Sequence, residues 1–298
     1  MKNIISASRR TDIPAFYSEW FAKRLAEGWV DVRNPYSGRV YHISLKSQDL
    51  HSIVFWSKDF SPLVRRLPEV ERATKNLFFH FTITGVPKAL EERTPARRKA
   101  VEDFLYLAGR YSPEHLIWRF DPVVLTDKIP FDHYLAEFDR TAGMLKGAAR
   151  ECYISFAEPY KKVVRNFKKT GHTLVETPDE VKRGYAERLA VVAEGYGIRV
   201  SACCNDFLLS DRIGKASCID GGRLAGLFGD FDVDTTPTPT RKGCACTKSI
   251  DIGAYDTCPH GCAYCYANSD HKKAEEFLKG HDTGWSGLGF SVDDLHRS

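Results

Sequence analysis

Short apolar runs recur along the chain, most of them followed by an amphipathic stretch. The runs are Ile4–Ser6, Val30–Val32, Ile53–Trp56, Leu77–Ile83, Leu116–Phe120, Cys152–Phe156, Val200–Cys203 and Ile250–Ala254. Between them, Tyr17–Glu27, Thr94–Gly109, Phe131–Leu145 and Thr177–Gly195 read as helices. Pro178 and Asp179 suit a helix start, and Gly195 or Gly197 its end. Strands alternating with helices predict parallel βα units. Eight runs predict an α/β fold of the (β/α)8 TIM-like barrel type. The second and third runs lie close together, with no obvious helix between them.

The residues just after these runs are polar. Arg9, Arg10 and Asp12 follow the first, Lys58 and Asp59 the third, and Asn205 and Asp206 the seventh. In a parallel barrel the C-terminal strand ends carry the active site, though connecting loops are polar in any case. Arg119 and Asp121 stand apart, because they interrupt the apolar stretch Leu116–Leu125. A buried charge needs a partner. Arg10, Lys58, Arg119 and Asp121 are therefore the expected lining of the mouth.

Composition sets limits. Among 298 residues, 43% are apolar and 12% aromatic, enough for one large core. The expectation is one domain over residues 1–298, closed by a cysteine-rich segment at 241–270. The TTPTPT string over Thr235–Thr240 reads as an extended connector leading into that segment. Basic residues number 43 against 39 acidic, a net charge of +4 that points to neither nucleic acid nor membrane. No apolar stretch approaches membrane-spanning length, and the opening residues lack a signal-peptide pattern. A cytoplasmic protein is expected.

Nine cysteines are a high count for a reducing compartment, where clustered thiols point to metal or catalysis. Cys258, Cys262 and Cys265 have the spacing C-x3-C-x2-C in the string CPHGCAYCYAN. Three thiolates on one tight loop can hold three corners of a cubane iron–sulfur cluster, and one iron then stays open. Gly261 lets the loop fold back, and Tyr264 sets a ring against the metal. A zinc knot using His260 would need a ligand from inside the three-residue gap, which strains the loop. Inert buried thiols are the other alternative. Upstream, Cys244 and Cys246, with Cys203 and Cys218, form a candidate second site for an auxiliary cluster or a zinc ion. Cys203 and Cys204 also fit a strand as small hydrophobes. Cys152 heads a run and reads as core.

The C-x3-C-x-aromatic-C string resembles the radical S-adenosylmethionine superfamily. Its HGC-x-YCY form is most similar to the spore photoproduct lyase-like branch. Nearly the whole chain also resembles an uncharacterised bacterial family, a domain of unknown function, through ISASRRTDIPAFY, VFWSKD, IWRFDP, ISFAEPYKK and DIGAYDTCPHGCAYCYAN. The superfamily resemblance implies a 4Fe-4S cluster on Cys258, Cys262 and Cys265. It also implies S-adenosylmethionine chelated at the open iron, and reductive cleavage to a 5′-deoxyadenosyl radical. In the superfamily the motif follows the first barrel strand; here it follows the last. Circular permutation would rebuild the site if the last strand lies beside the first. The loop Ser8–Asp12 would then stand where the superfamily holds the amino group of S-adenosylmethionine. That assigns Arg9, Arg10, Asp12 and Tyr264 to the cofactor, although no GGE-like string is present.

Three readings follow. The first is a radical enzyme acting on a small or polar substrate, supplied with electrons by a ferredoxin or flavodoxin. The second is a non-catalytic iron–sulfur protein for electron transfer or redox sensing. The third is nucleic-acid repair or modification. Basic and aromatic residues alternate over Tyr160–Lys169 as the third would need, and equally as an ordinary exposed helix face does.

Overall fold

The computed structural model describes residues 1–290. The end of the domain expected over 1–298 lies outside the described residues. Among the described residues ten strands form: β1 (Asn3–Ala7), β2 (Trp29–Arg33), β3 (Val40–Ser44), β4 (Leu50–Ser57), β5 (Leu77–Thr82), β6 (Leu116–Val123), β7 (Glu151–Phe156), β8 (Arg199–Ala202), β9 (Ile213–Lys215) and β10 (Ile250–Asp251). Eight of them build one parallel sheet in the order β10-β1-β4-β5-β6-β7-β8-β9. The expected helices are present as Ser18–Glu27, Arg97–Arg110, Phe131–Met144 and Asp179–Glu194.

Two expectations need correction. Val30–Val32 is a strand, but it pairs antiparallel with β3 in a separate hairpin. β1 then pairs directly with β4, and the eighth strand of the large sheet is β9, at the edge beside β8, which no apolar run announced. The second correction concerns closure. The sheet is open: among the described residues no ladder joins β9 to β10, so this is an α/β fold and not a closed TIM-like barrel. The edge strands have three and two residues and offer too few backbone groups to zip together. Two loops fill the seam instead. Thr247 donates its amide to Ile219 O at 2.9 Å, and Ser217 Oγ donates to Ala245 O at 2.9 Å.

Alternation along the strands sorts the side chains onto two faces. Ile5, Ile53, Phe55, Phe79, Phe81, Trp118, Phe120 and Ile154 belong to the large core that also contains the helices' apolar faces. Ile4, Val54, Phe78, Ile117 and Tyr153 build a smaller core on the other face, together with Cys203 and Cys246. That second face also buries Ser6, His80 and Arg119. Cys152 lies in the large core. Among the described residues no helix is long and apolar enough to cross a membrane.

Candidate functional site

The site begins at the pairing of β10 with β1, in which Ser6 stands opposite Asp251. The Asp251 carboxylate accepts from Ser6 Oγ at 2.7 Å, Ser8 Oγ at 2.6 Å and the Arg9 amide at 2.8 Å. Arg9 Nε and Arg10 Nε stand 3.5 and 3.8 Å away. Burial opposes its ionisation, but Arg10 and Arg9, with the hydrogen bonds from Ser8 and the Arg9 amide, together outweigh burial and hold the carboxyl below its usual range. Arg10 also donates to Gly253 O at 3.2 Å. Gly253 must lack a side chain, since a Cβ there would stand 2.0 Å from Ser8 Oγ. The N-terminal loop is thus pressed onto the strand that leads into the cysteine loop. Asp251 was missed in the sequence because it sits inside an apolar run and its partners lie over 240 positions away.

Asp12 is the second anchor. Its carboxylate caps the turn Ile13–Phe16 through the Ala15 amide at 3.0 Å. It also accepts from Ser57 Oγ at 2.7 Å, the Lys58 amide at 2.9 Å and His260 Nε2 at 2.7 Å. Three separate segments therefore meet on one buried side chain. His260 Nδ1 lies 3.2 Å from Arg93 O. Both ring nitrogens are occupied, so His260 orients the loop and is not placed to bind a metal.

Glu91 is the third anchor. One oxygen, Oε1, accepts from Lys58 Nζ at 2.8 Å, from Thr84 Oγ1 at 2.8 Å and from the Tyr264 hydroxyl. Its segment runs antiparallel to the cysteine loop, with Ala263 N donating to Leu90 O at 2.9 Å and Arg93 N to His260 O at 3.1 Å. Burial lowers the proton affinity of Lys58, but Glu91 and Cys262 more than offset it, so the ammonium persists. Glu91 was not among the expected residues. Its string, LEERTP, looks like an ordinary helix border.

Cys258, Cys262 and Cys265 lie inside this frame. Gly261 takes φ +74°, which turns the chain back between the first two. The Cys265 amide donates to Cys262 O at 3.0 Å, and the Ala267 amide donates to Cys265 Sγ at 3.3 Å. Burial pushes all three thiols up; Asp12 adds to it at Cys258, while Lys58 opposes it at Cys262. Loading a metal would therefore release protons.

The remaining expected residues lie elsewhere. Arg119 pairs with Asp121 through Nη2 and donates from Nη1 to Cys218 Sγ at 3.1 Å. Asp121 also accepts from Ser155 Oγ. Burial opposes the Asp121 charge, but Arg119, the Ser155 hydroxyl and Arg241 together outweigh it and keep the carboxyl low. This pair faces the second cysteine group, where Cys203 Sγ and Cys218 Sγ are 3.4 Å apart. A cleft of about 470 Å³ opens beside it, lined by Ser155, Cys203, Cys204, Asn205 and Arg241. The polar residues foreseen at one mouth gather around two neighbouring cysteine groups, with Arg9 and Tyr266 between them. Asp12, Lys58 and Tyr264 surround the cysteine triad, and Arg119 and Asp121 belong to the other group. Arg9 and Arg10 are anchored on Asp251. Among the described residues, no three His, Cys, Asp or Glu donors already enclose a metal position.

Residues 4–267 match the family model described as Domain of unknown function (DUF1848), and the chain belongs to that family. The match agrees with the resemblance to an uncharacterised family and brings no activity with it. No curated protein and no solved structure matches the chain.

Proposed function

We propose that Cys258, Cys262 and Cys265 hold a 4Fe-4S cluster, with S-adenosylmethionine on the iron that lacks a protein ligand. The donor set is the observation that carries this reading. One loop offers three thiols, and its histidine is engaged at both nitrogens, by Asp12 and by Arg93 O. Thiolates are the ligands such clusters require, and three leave one corner open. When bound, this group supplies an electron to the sulfonium, whose bond to C5′ breaks to give methionine and a 5′-deoxyadenosyl radical.

The chain's own residues would prepare that chemistry. The Ala267 amide withdraws charge from Cys265 Sγ, and hydrogen bonds to sulfur tune a cluster's potential. Lys58 neutralises Glu91, so no uncompensated carboxylate faces Cys262. Arg9 Nη1 is buried with no hydrogen-bond partner among the described residues. An orphaned donor is costly, and a carboxylate or phosphate would satisfy it. That suits an anionic group on the cofactor or on a polar substrate. Electrons would arrive along the helix Lys161–Lys169, which flanks the loop through Lys162 to Tyr266 O and Arg165 to Ser269 O. Its exposed Lys161, Arg165, Lys168 and Lys169 border an open groove. That charge suits an acidic donor such as a ferredoxin or flavodoxin.

A second reading, a non-catalytic iron–sulfur protein, is favoured by one observation. Arg10 and Arg119 are already engaged within the protein, on Gly253 O and on Asp121. One experiment separates the two. Anaerobic reconstitution should give a brown protein whose absorbance bleaches on reduction, and the reduced protein should release 5′-deoxyadenosine from S-adenosylmethionine. A brown protein that releases none, with no spectral response to the cofactor, leaves the electron carrier. A colourless protein ends both readings.

A further inference from the structure

We propose that Cys203, Cys218, Cys244 and Cys246 form a second, closed thiolate site. It would take a single tetrahedral metal ion, zinc, and clamp the open seam of the sheet. This rests on different residues from the triad and stands whether or not the triad holds a cluster.

The four cysteines come from three segments that meet at the seam. Cys203 follows β8, Cys218 follows β9, and Cys244 and Cys246 precede β10. The first contact is Cys203 Sγ to Cys218 Sγ at 3.4 Å. Cys218 interacts in turn with the Cys246 side chain, and Cys246 with that of Cys244. The sulfurs thus form a string across the gap between β9 and β10. A tetrahedral ion with bonds of about 2.3 Å to sulfur sets its ligands roughly 3.8 Å apart, close to the observed first contact. A cubane cluster spreads its thiolates wider. Metal binding would draw the string into a ring.

Each sulfur also receives a donor. Arg119 Nη1 approaches Cys218 Sγ at 3.1 Å, and Arg241 Nη2 approaches Cys203 Sγ at 3.9 Å. The Ile219 amide points at Cys246 Sγ at 3.4 Å. Cys244 Sγ accepts from the Cys246 amide at 3.5 Å and from Thr240 Oγ1 at 3.6 Å. A neutral thiol is a weak acceptor, and inert core cysteines would not gather such a set. Donors at every sulfur suit thiolates, as the outer partners of a metal site do. Two arginines offset the net negative charge that four thiolates leave around a divalent ion.

The backbone is shaped to the same end. Cys204 takes φ 58°, unusual for a residue with a side chain, as the chain leaves β8. Gly243 takes φ +75°, and a Cβ there would stand 3.2 Å from Cys204 O. Glycine lets the loop carrying Cys244 and Cys246 press against the turn that carries Cys203. Four protein ligands leave no open position, which is the mark of a structural zinc site and not a catalytic one.

The test uses the full chain with Cys258→Ser, Cys262→Ser and Cys265→Ser, so that the triad contributes no metal. Elemental analysis after dialysis against a mild chelator should find one zinc per chain. Adding Cys218→Ser and Cys246→Ser should remove it. Because that variant risks misfolding, cobalt(II) is also exchanged into the triple variant. Thiolate-to-cobalt charge transfer and tetrahedral ligand-field bands are expected. A folded triple variant without zinc and without these bands overturns the proposal. Iron and sulfide in cluster proportion in that variant overturn it equally.

Discussion

At the residue scale, three buried carboxylates organise the candidate site: Asp12, Glu91 and Asp251. Each gathers donors from segments far apart in the chain. Asp251 allows a pH test. Its folded-state pKa is lowered from 3.8, because the two arginines and the hydrogen bonds from Ser8 and the Arg9 amide together outweigh burial. Its contribution is therefore fully present above that value and lost as pH falls through the lower, folded-state value. Asp251→Asn should destabilise the apoprotein at neutral pH by about 3 kcal/mol, the scale for breaking a buried ion pair. It should also flatten the acid side of the stability profile. Urea midpoints measured from neutral pH downward check both. A variant with an unchanged acid slope would show that Asp251 is not the linked group.

At the element scale, the shortest strand matters most. β10 has two residues, yet it sets the cysteine loop beside Ser8–Asp12. The contact relies on Gly253 lying against Ser8. Gly253→Ala should force the two loops apart at a cost of about 1–3 kcal/mol, the usual scale of overpacking. The expected result is near-normal circular dichroism with reduced iron uptake on reconstitution. Unchanged iron content would mean that the triad does not need this contact. The antiparallel run of residues 90–93 along the cysteine loop is a second support of the same kind.

At the scale of the molecule, the open sheet predicts uneven stability. Ile53, Phe55, Phe79 and Phe81 lie in central strands and are fully buried, whereas β9 and β10 have one paired edge each. Amide hydrogen exchange should be slowest across β4–β7 and faster in residues 213–215 and 250–251. Protection distributed evenly across the eight strands would argue for a closed barrel in solution.

The sequence alone determined a good deal. Buried parallel strands read as continuous apolar runs, so β1 and β4–β8 were legible from hydrophobicity. The long helices were legible from their spacing, and the cysteine loop from three thiols packed into eight residues. These are local signals, carried by neighbours along the chain. Tertiary structure decided the rest. It left the sheet open, because β9 and β10 are too short to zip and neither shortness nor pairing shows as a pattern. It distributed the expected mouth residues around two neighbouring cysteine groups, because alternation and strand position set Arg119 beside Cys218 and Asp12 beside His260. It also chose Asp251 and Glu91, whose importance lies in partners about 245 and 170 positions distant, respectively. A carboxylate becomes an anchor only when distant donors converge on it in a buried place, and convergence is a property of the fold.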